Sequence, residues 1–197
     1  MKKIGLLLIS LIIIVQIFGQ ETGSFTDSRD GKTYKTVKIG IQWWMAENLN
    51  YETDSGSWCC DDKKSYCDIY GRFYNWNTAN NVCPTGWHLP NNKEWQVLFD
   101  YIGGNDSAGY KLRAKTNWTI NDETILGIDS YGFTALPGGD VFGEGSCKYS
   151  TSYGFWWSAK SKSKSDAFAW FTISIDYFVY IEPHDKQLGI SVRCLKD

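Results

Sequence analysis

"CPTGWHLPNNKEW", residues 83–95, sets Cys83, Trp87, His88 and Trp95 in one short stretch that also carries the start signal of a helix. Asn91 and Glu94 stand at capping-box spacing: the Asn side chain can accept from the free amide near Glu94, and the Glu side chain can reach back. Downstream, Trp95, Leu98, Phe99 and Ile102 fall at i, i+3, i+4 and i+7, one apolar face of a helix that Gly103 and Gly104 end. Trp95 is therefore expected to point into a core. Upstream, His88 lies between Trp87 and Leu89 on an expected strand. Cysteine, strand and capped helix together read as a packing module, from which the rest of the chain can be laid out.

On its N-terminal side, "YGRFYNWNTANNVCP" places Phe73, Trp76 and Ala79 at helical spacing with Pro84 closing the segment, so a short helix is expected there. Residues 52–68 are polar, rich in glycine and cysteine, and without period; they are expected as a long loop that Cys59, Cys60 and Cys67 keep ordered. Further back, Tyr34, Thr36 and Lys38 alternate with Lys35, Val37 and Ile39 as in a half-buried strand, and Gly40 turns the chain into a second strand over Gln42 to Met45. On the C-terminal side, residues 105–115 predict another short helix begun by Asp106 or Ser107. From Tyr131 onward, short aromatic and β-branched segments alternate with Gly, Ser, Asp and Pro, the pattern of antiparallel strands and long loops. Helices in the first half and strands at both ends give an α+β order in which the terminal strands can pair.

The bulk composition bounds the function. Met1, Lys2 and Lys3 followed by an apolar run from Ile4 to Phe18 and a small residue, Gly19, form the pattern of a secretory signal peptide. The run is shorter than the ~20 residues of a spanning helix, so no membrane span is expected after cleavage. The expected layout is residues 1–19 as signal peptide, 20–31 as an N-terminal lead and 32–197 as one domain. Losing Lys2 and Lys3 takes the 20 basic residues to 18 against 22 acids, a formal charge of -4. With no basic stripe, and with "KSKSKSD" alternating as a solvated loop does, nucleic acid is not an expected partner. All six cysteines lie in the exported part, and three disulfides are the default in an oxidising compartment. A thiolate metal site would need paired C-x-x-C ligands, which the sequence lacks.

"TVKIGIQWWMAENLNY", "YGRFYNW", "CPTGWHLPNNKEW", "AGYKL", "YGFTALPGG", "GFWWSA" and "SVRCLKD" occur in the order that marks the Fibrobacter succinogenes major paralogous domain family. The chain resembles that family from about Thr33 to Asp197, which implies an exported bacterial protein and names no reaction. "WHLPNNKEW" and "GISVRCLKD" more distantly resemble segments of formylglycine-generating-enzyme and sulfatase-modifying-factor domains, whose architecture is C-type-lectin-like. That resemblance implies paired terminal strands and a bond between Cys83 and Cys194. Such a bond would close a loop worth ~4 to 5 kcal/mol in the chain-entropy picture. For the remaining four, Cys59 with Cys67 and Cys60 with Cys147 is the expected pairing. Adjacent cysteines rarely bond each other, and exchange of Cys59 and Cys60 is the alternative.

Candidate chemistry is sparse. His88 reads as a hydrogen-bonded core residue rather than a base or ligand, and His184 falls in a turn with Glu182 and Asp185 nearby. A two-histidine, one-carboxylate iron site would require both histidines to converge. An oxidase of the formylglycine-generating type needs a reactive cysteine pair late in the chain, where only Cys194 stands. G-x-S-x-G is absent, and Glu94 is explained by capping. A glycosidase carboxylate pair cannot be located from sequence among 22 acids. The sugar-calcium lectin motif is not carried over, because His184 in "IEPHD" and Phe171–Thr172 in "AWFTI" replace its ligands; a structural calcium in "CCDDKKSYCD" is left open. Trp43, Trp44, Trp76, Trp87, Trp95, Trp156 and Trp157 lie within the motifs and read as core. Trp58 and Trp118, in polar surroundings, are the candidates for an exposed ligand contact.

The expected fold is α+β and C-type-lectin-like, with short antiparallel strands, two or three short helices, long loops and disulfide stabilisation. No catalytic residue, cofactor or metal ligand is assigned. The expected function is a secreted, non-catalytic extracellular or cell-surface binding or structural module for a glycan or protein. The alternative is an enzyme of the formylglycine-generating type or a glycan-acting hydrolase.

Overall fold

The computed structural model describes residues 19–119, 121–142 and 145–197, so the expected signal segment lies outside the described residues except for Gly19. Three strands open the fold: β1 (Thr22–Thr26), β2 (Thr33–Ile39) and β3 (Gln42–Met45). β1 falls inside the N-terminal lead and pairs along β2, with Thr22 opposite Val37 and Thr26 opposite Thr33. Gly40, with φ of 61°, makes the tight reversal between β2 and β3, a conformation that residues with a Cβ adopt at a cost. Both faces of β2 are covered: Val37 and Ile39 enter one core cluster and Tyr34 another.

Next come β4 (Ser57–Trp58), a 3-10 turn over Cys60–Asp62, α1 (Lys64–Tyr70), β5 (Phe73–Tyr74), α2 (Trp76–Val82), β6 (Trp87–His88), α3 (Asn92–Tyr101) and α4 (Asn105–Leu112). With four α-helices among the described residues, the expectation of two or three is corrected. The extra one, α1, lies partly inside the stretch expected as loop, and it carries Cys67 and Tyr70 on its buried side. Phe73 is likewise a strand residue: α2 begins after it, capped by the Asn75 side chain, which accepts from the amide of Thr78. α3 has the expected capping box, with Asn91 Oδ1 accepting from Lys93 and Glu94 and with Glu94 Oε2 accepting from the Asn91 amide at 2.8 Å. Its Trp95, Leu98, Phe99 and Ile102 are all buried. α4 starts at Asn105 rather than Asp106 or Ser107, because Gly104 takes the cap position in a left-handed conformation.

The last part supplies β7 (Asp140–Phe142), β8 (Ser146–Lys148), β9 (Tyr153–Ser161), β10 (Asp166–Ile173), β11 (Tyr180–Asp185), β12 (Ile190–Ser191) and β13 (Leu195–Lys196). These make a five-stranded sheet in the order β1-β2-β3-β13-β6, a six-stranded sheet in the order β11-β10-β9-β12-β5-β4, and the β7-β8 hairpin. β12 and β13 are separated only by Val192 to Cys194, so one short segment contributes a strand to each large sheet. Period-two alternation along β9 sends Trp156 into the cluster with α3 and α4, and Phe155 and Trp157 into the cluster with α2.

Arg193, in that same short segment, is fully buried and no carboxylate touches it among the described residues. Its guanidinium donates to Asn48 Oδ1 from Nε at 3.0 Å and from Nη2 at 2.7 Å, and also to the carbonyls of Met45 and Phe133. Burial lowers its pKa to about 9, which leaves it charged at neutral pH.

The third cluster, around Cys60, Tyr70, Phe73 and Val141, sits under the β7-β8 hairpin. Asp140 is buried there with Oδ1 unpartnered, and burial raises its pKa from 3.8 to about 6. An acid raised in the folded state favours folding while protonated, so its contribution is lost as pH climbs from about 4 to about 6 and stays lost above. Asp140→Asn is expected to remove that loss, gaining on the order of 2 kcal/mol at pH 8 and nothing at pH 3.5. Paired urea titrations at the two pH values check this; an equal effect at both would refute it.

Candidate functional site

Trp58 forms part of the wall of an open cleft of about 580 Å³, whose other walls include Lys32, Asn50, Glu52, Asp62, Lys64 and Arg72. The local sequence explains its shape. β4 is held to β5 with Trp58 opposite Phe73, and the indole packs down because Gly189 has no side chain: a Cβ there would stand 3.1 Å from Trp58 Cε3. The half-buried ring keeps part of its surface open to solvent. The disulfide Cys59–Cys67 spans from β4 to α1 and both cysteines line the cleft, so a covalent bond adds to the small third cluster in fixing the polar loop.

Polar groups around the ring are arranged by short-range contacts. Arg72 Nη2 meets Glu52 Oε2 at 2.6 Å, with Arg72 only 13% exposed and Glu52 74% exposed. Asn50 Nδ2 donates to the Cys67 carbonyl at 3.0 Å, while the Asn50 amide donates to the Tyr34 hydroxyl at 3.1 Å. Burial raises the Tyr34 pKa to about 12, so that hydroxyl stays protonated at neutral pH. Lys32 donates to the Asn50 carbonyl and lies 3.4 Å from Asp30. A smaller cavity of about 280 Å³ shares Lys32, Asn50 and Cys67 and continues toward Glu47 and Thr134.

Trp118, the second candidate contact, is corrected: it is 5% exposed. Its Nε1 donates to the Ala135 carbonyl at 3.3 Å, and the Arg113 guanidinium lies 5.4 Å from its ring centre. Its polar sequence neighbours face outward, so local polarity misreported a ring that docks on distant chain. Trp43 and Trp76, read as core, are half-buried; Trp76 lies under the Lys186 ammonium at 4.3 Å and donates to the Ser158 carbonyl.

The histidines lie in different sheets. His88, on β6, places Nδ1 2.6 Å from Asp197 Oδ1 and Nε2 3.0 Å from Glu94 Oε1. Its side chain is 37% exposed, so the expectation of a core histidine is corrected to one at the sheet edge. Burial opposes its protonation, but the two carboxylates outweigh that and raise its pKa. His184 lies within β11 rather than a turn, packed edge-on to Phe155 at 5.4 Å, and burial lowers its pKa. Among the described residues neither belongs to a cluster of metal-ligating side chains. The one such group, Cys60, Asp61 and Cys147, has both sulfurs in the Cys60–Cys147 disulfide, so its donors do not suit the calcium left open for that segment. The third bond joins Cys83 to Cys194, tying the end of α2 to the segment between β12 and β13.

A family model described as the Fibrobacter succinogenes major domain matches residues 37–196, which takes in both large sheets except β1 and the first part of β2. The chain belongs to this family. No curated protein and no solved structure matches it. Within the Fibrobacter succinogenes major domain, the cleft draws on Trp58 and Arg72 from matched residues and on Lys32 from just before them. Sequence reading missed Arg72, Glu52 and Lys32, since their meeting depends on how the loop folds back; the arginine inside "YGRFYNW" was the one available hint.

Proposed function

We propose that this Fibrobacter succinogenes major domain is an exported, non-catalytic binding module whose Trp58 cleft takes a hydroxyl-rich ligand of the glycan class. The observation that carries the reading is a partly open indole in a polar cleft beside Arg72, Lys32, Asn50 and Glu52. An aromatic face offers stacking area at low entropic cost, and the convergent donors and acceptors suit hydroxyl groups. Export to the cell surface or beyond is supported by the charged and apolar pattern of residues 1–19 and by three disulfides. A C-type-lectin-like architecture is supported by β13 pairing between β3 and β6 and by the bond from Cys83 to Cys194. No helix of the described residues is long and apolar enough to cross a membrane.

Glu52 and Asp62 both line the cleft, which favours glycan hydrolysis as the second reading. The oxidase alternative lacks its nucleophile, because all six cysteines are bridged. Glycan-array binding of the wild type and Trp58→Ala, with reducing-end release followed on the bound members, separates the readings. Binding that falls at least about 10-fold in Trp58→Ala with no sugar released is expected. Release that disappears in Glu52→Gln would establish the hydrolase, and binding indifferent to Trp58 would remove the cleft from consideration.

A further inference from the structure

The charges of the cleft are unevenly held. Its walls carry three cations, Lys32, Lys64 and Arg72, against two carboxylates, Glu52 and Asp62, in a chain of formal charge -2. Within the Arg72–Glu52 pair the cation is the fixed member: its side chain is 13% exposed, whereas the glutamate is 74% exposed. Glu52 is the one carboxylate paired with Arg72 among the described residues, at 2.6 Å. Releasing Glu52 to water costs little desolvation, because it is already mostly solvated; leaving the sunken guanidinium without an acceptor costs more. The cleft therefore holds a preplaced cation whose internal anion is easily displaced.

We infer that the saccharide taken by this cleft carries a carboxylate, a uronic acid residue, which displaces Glu52 from Arg72 while its ring lies against Trp58. This rests on the glycan reading above and narrows it. The internal occupant of the Arg72 site is itself a carboxylate, and guanidinium geometry matches that group in particular. Lys32 and Lys64, each already paired with a carboxylate outside these walls (Asp30 at 3.4 Å and Asp68 at 2.9 Å), add a weak attraction that salt screens, and Asn50 lines the wall as a further hydroxyl partner.

Isothermal titration with short oligogalacturonates, glucuronate- and mannuronate-bearing oligosaccharides, and the same compounds with carboxyl groups reduced to alcohols tests the inference. The wild type is expected to bind at least one acidic member about 10-fold more tightly than its reduced counterpart. Arg72→Gln should erase that difference. Glu52→Gln, which removes the competing anion at an exposed position, should raise acidic affinity about 3-fold or more relative to that of the reduced ligands. Added salt should weaken the acidic ligands alone. Equal, Trp58-dependent binding of acidic and reduced forms overturns the inference while leaving the glycan reading in place; no binding of any saccharide overturns both. If Arg72→Gln fails to fold, Glu52→Gln still decides, since unchanged acidic affinity in that variant is incompatible with displacement.

Discussion

Replacing Asn48 with alanine is expected to destabilise the domain by about 4 kcal/mol, more than a typical core truncation of that size. Its Oδ1 accepts from Arg193 Nε and Nη2 and, at 2.9 Å, from Trp156 Nε1; its Nδ2 donates to the Tyr70 carbonyl at 2.8 Å. Every one of these partners except the guanidinium is neutral, so Arg193 depends on well-placed oxygens rather than on an opposing charge. Removing the principal oxygen leaves a buried cation and an indole N–H short of an acceptor at once, with Arg193 fully buried and Trp156 nearly so. Urea unfolding should show the midpoint fall with an unchanged slope. A loss below about 1 kcal/mol would mean that water enters and replaces the amide.

Removing the Cys83–Cys194 bond by a double serine substitution should have a similar effect, ~2 to 5 kcal/mol. The bond spans 111 residues, so its loss frees the unfolded chain most, and it also unties α2 from the segment that feeds both sheets. The Cys59–Cys67 bond spans only 8 residues, and its double serine variant should lose about 2 kcal/mol less. Its effect belongs to the cleft instead, because the loop it fixes carries Trp58 at one end and Lys64 near the other. Thermal unfolding of both variants separates the cases: equal losses would contradict the loop-length argument.

The sequence patterns that proved legible were those whose cause is local. The capping box of α3 needs only Asn91, Glu94 and the amides between them, and the turn at Gly40 needs only a residue that tolerates positive φ. The reading failed where long-range contact decided. Trp118 has polar neighbours but docks beneath Ala135 and Arg113. Phe73 has helical spacing to Trp76, yet pairing with Trp58 and with Ser191 draws it into a strand. α1 is only seven residues long, too short for an apolar period to announce it, and its buried Cys67 and Tyr70 meet partners supplied by a disulfide and by the third cluster. Cleft chemistry was half legible: Trp58 stood out as an aromatic in polar chain, whereas Arg72 and Glu52, 20 positions apart, acquire meaning only once the loop closes.

The segment from Ile190 to Lys196 lends a strand to each large sheet, between β9 and β5 in one and between β3 and β6 in the other. On a ribosome that segment is made after every strand it joins. Until it emerges, β3 and β6 have no shared neighbour, β5 cannot reach β9, and Asn48 waits for its guanidinium. A nascent chain of this domain thus has hairpins to form first, and commitment to the native topology of both sheets waits until Ile190 to Lys196 has been made.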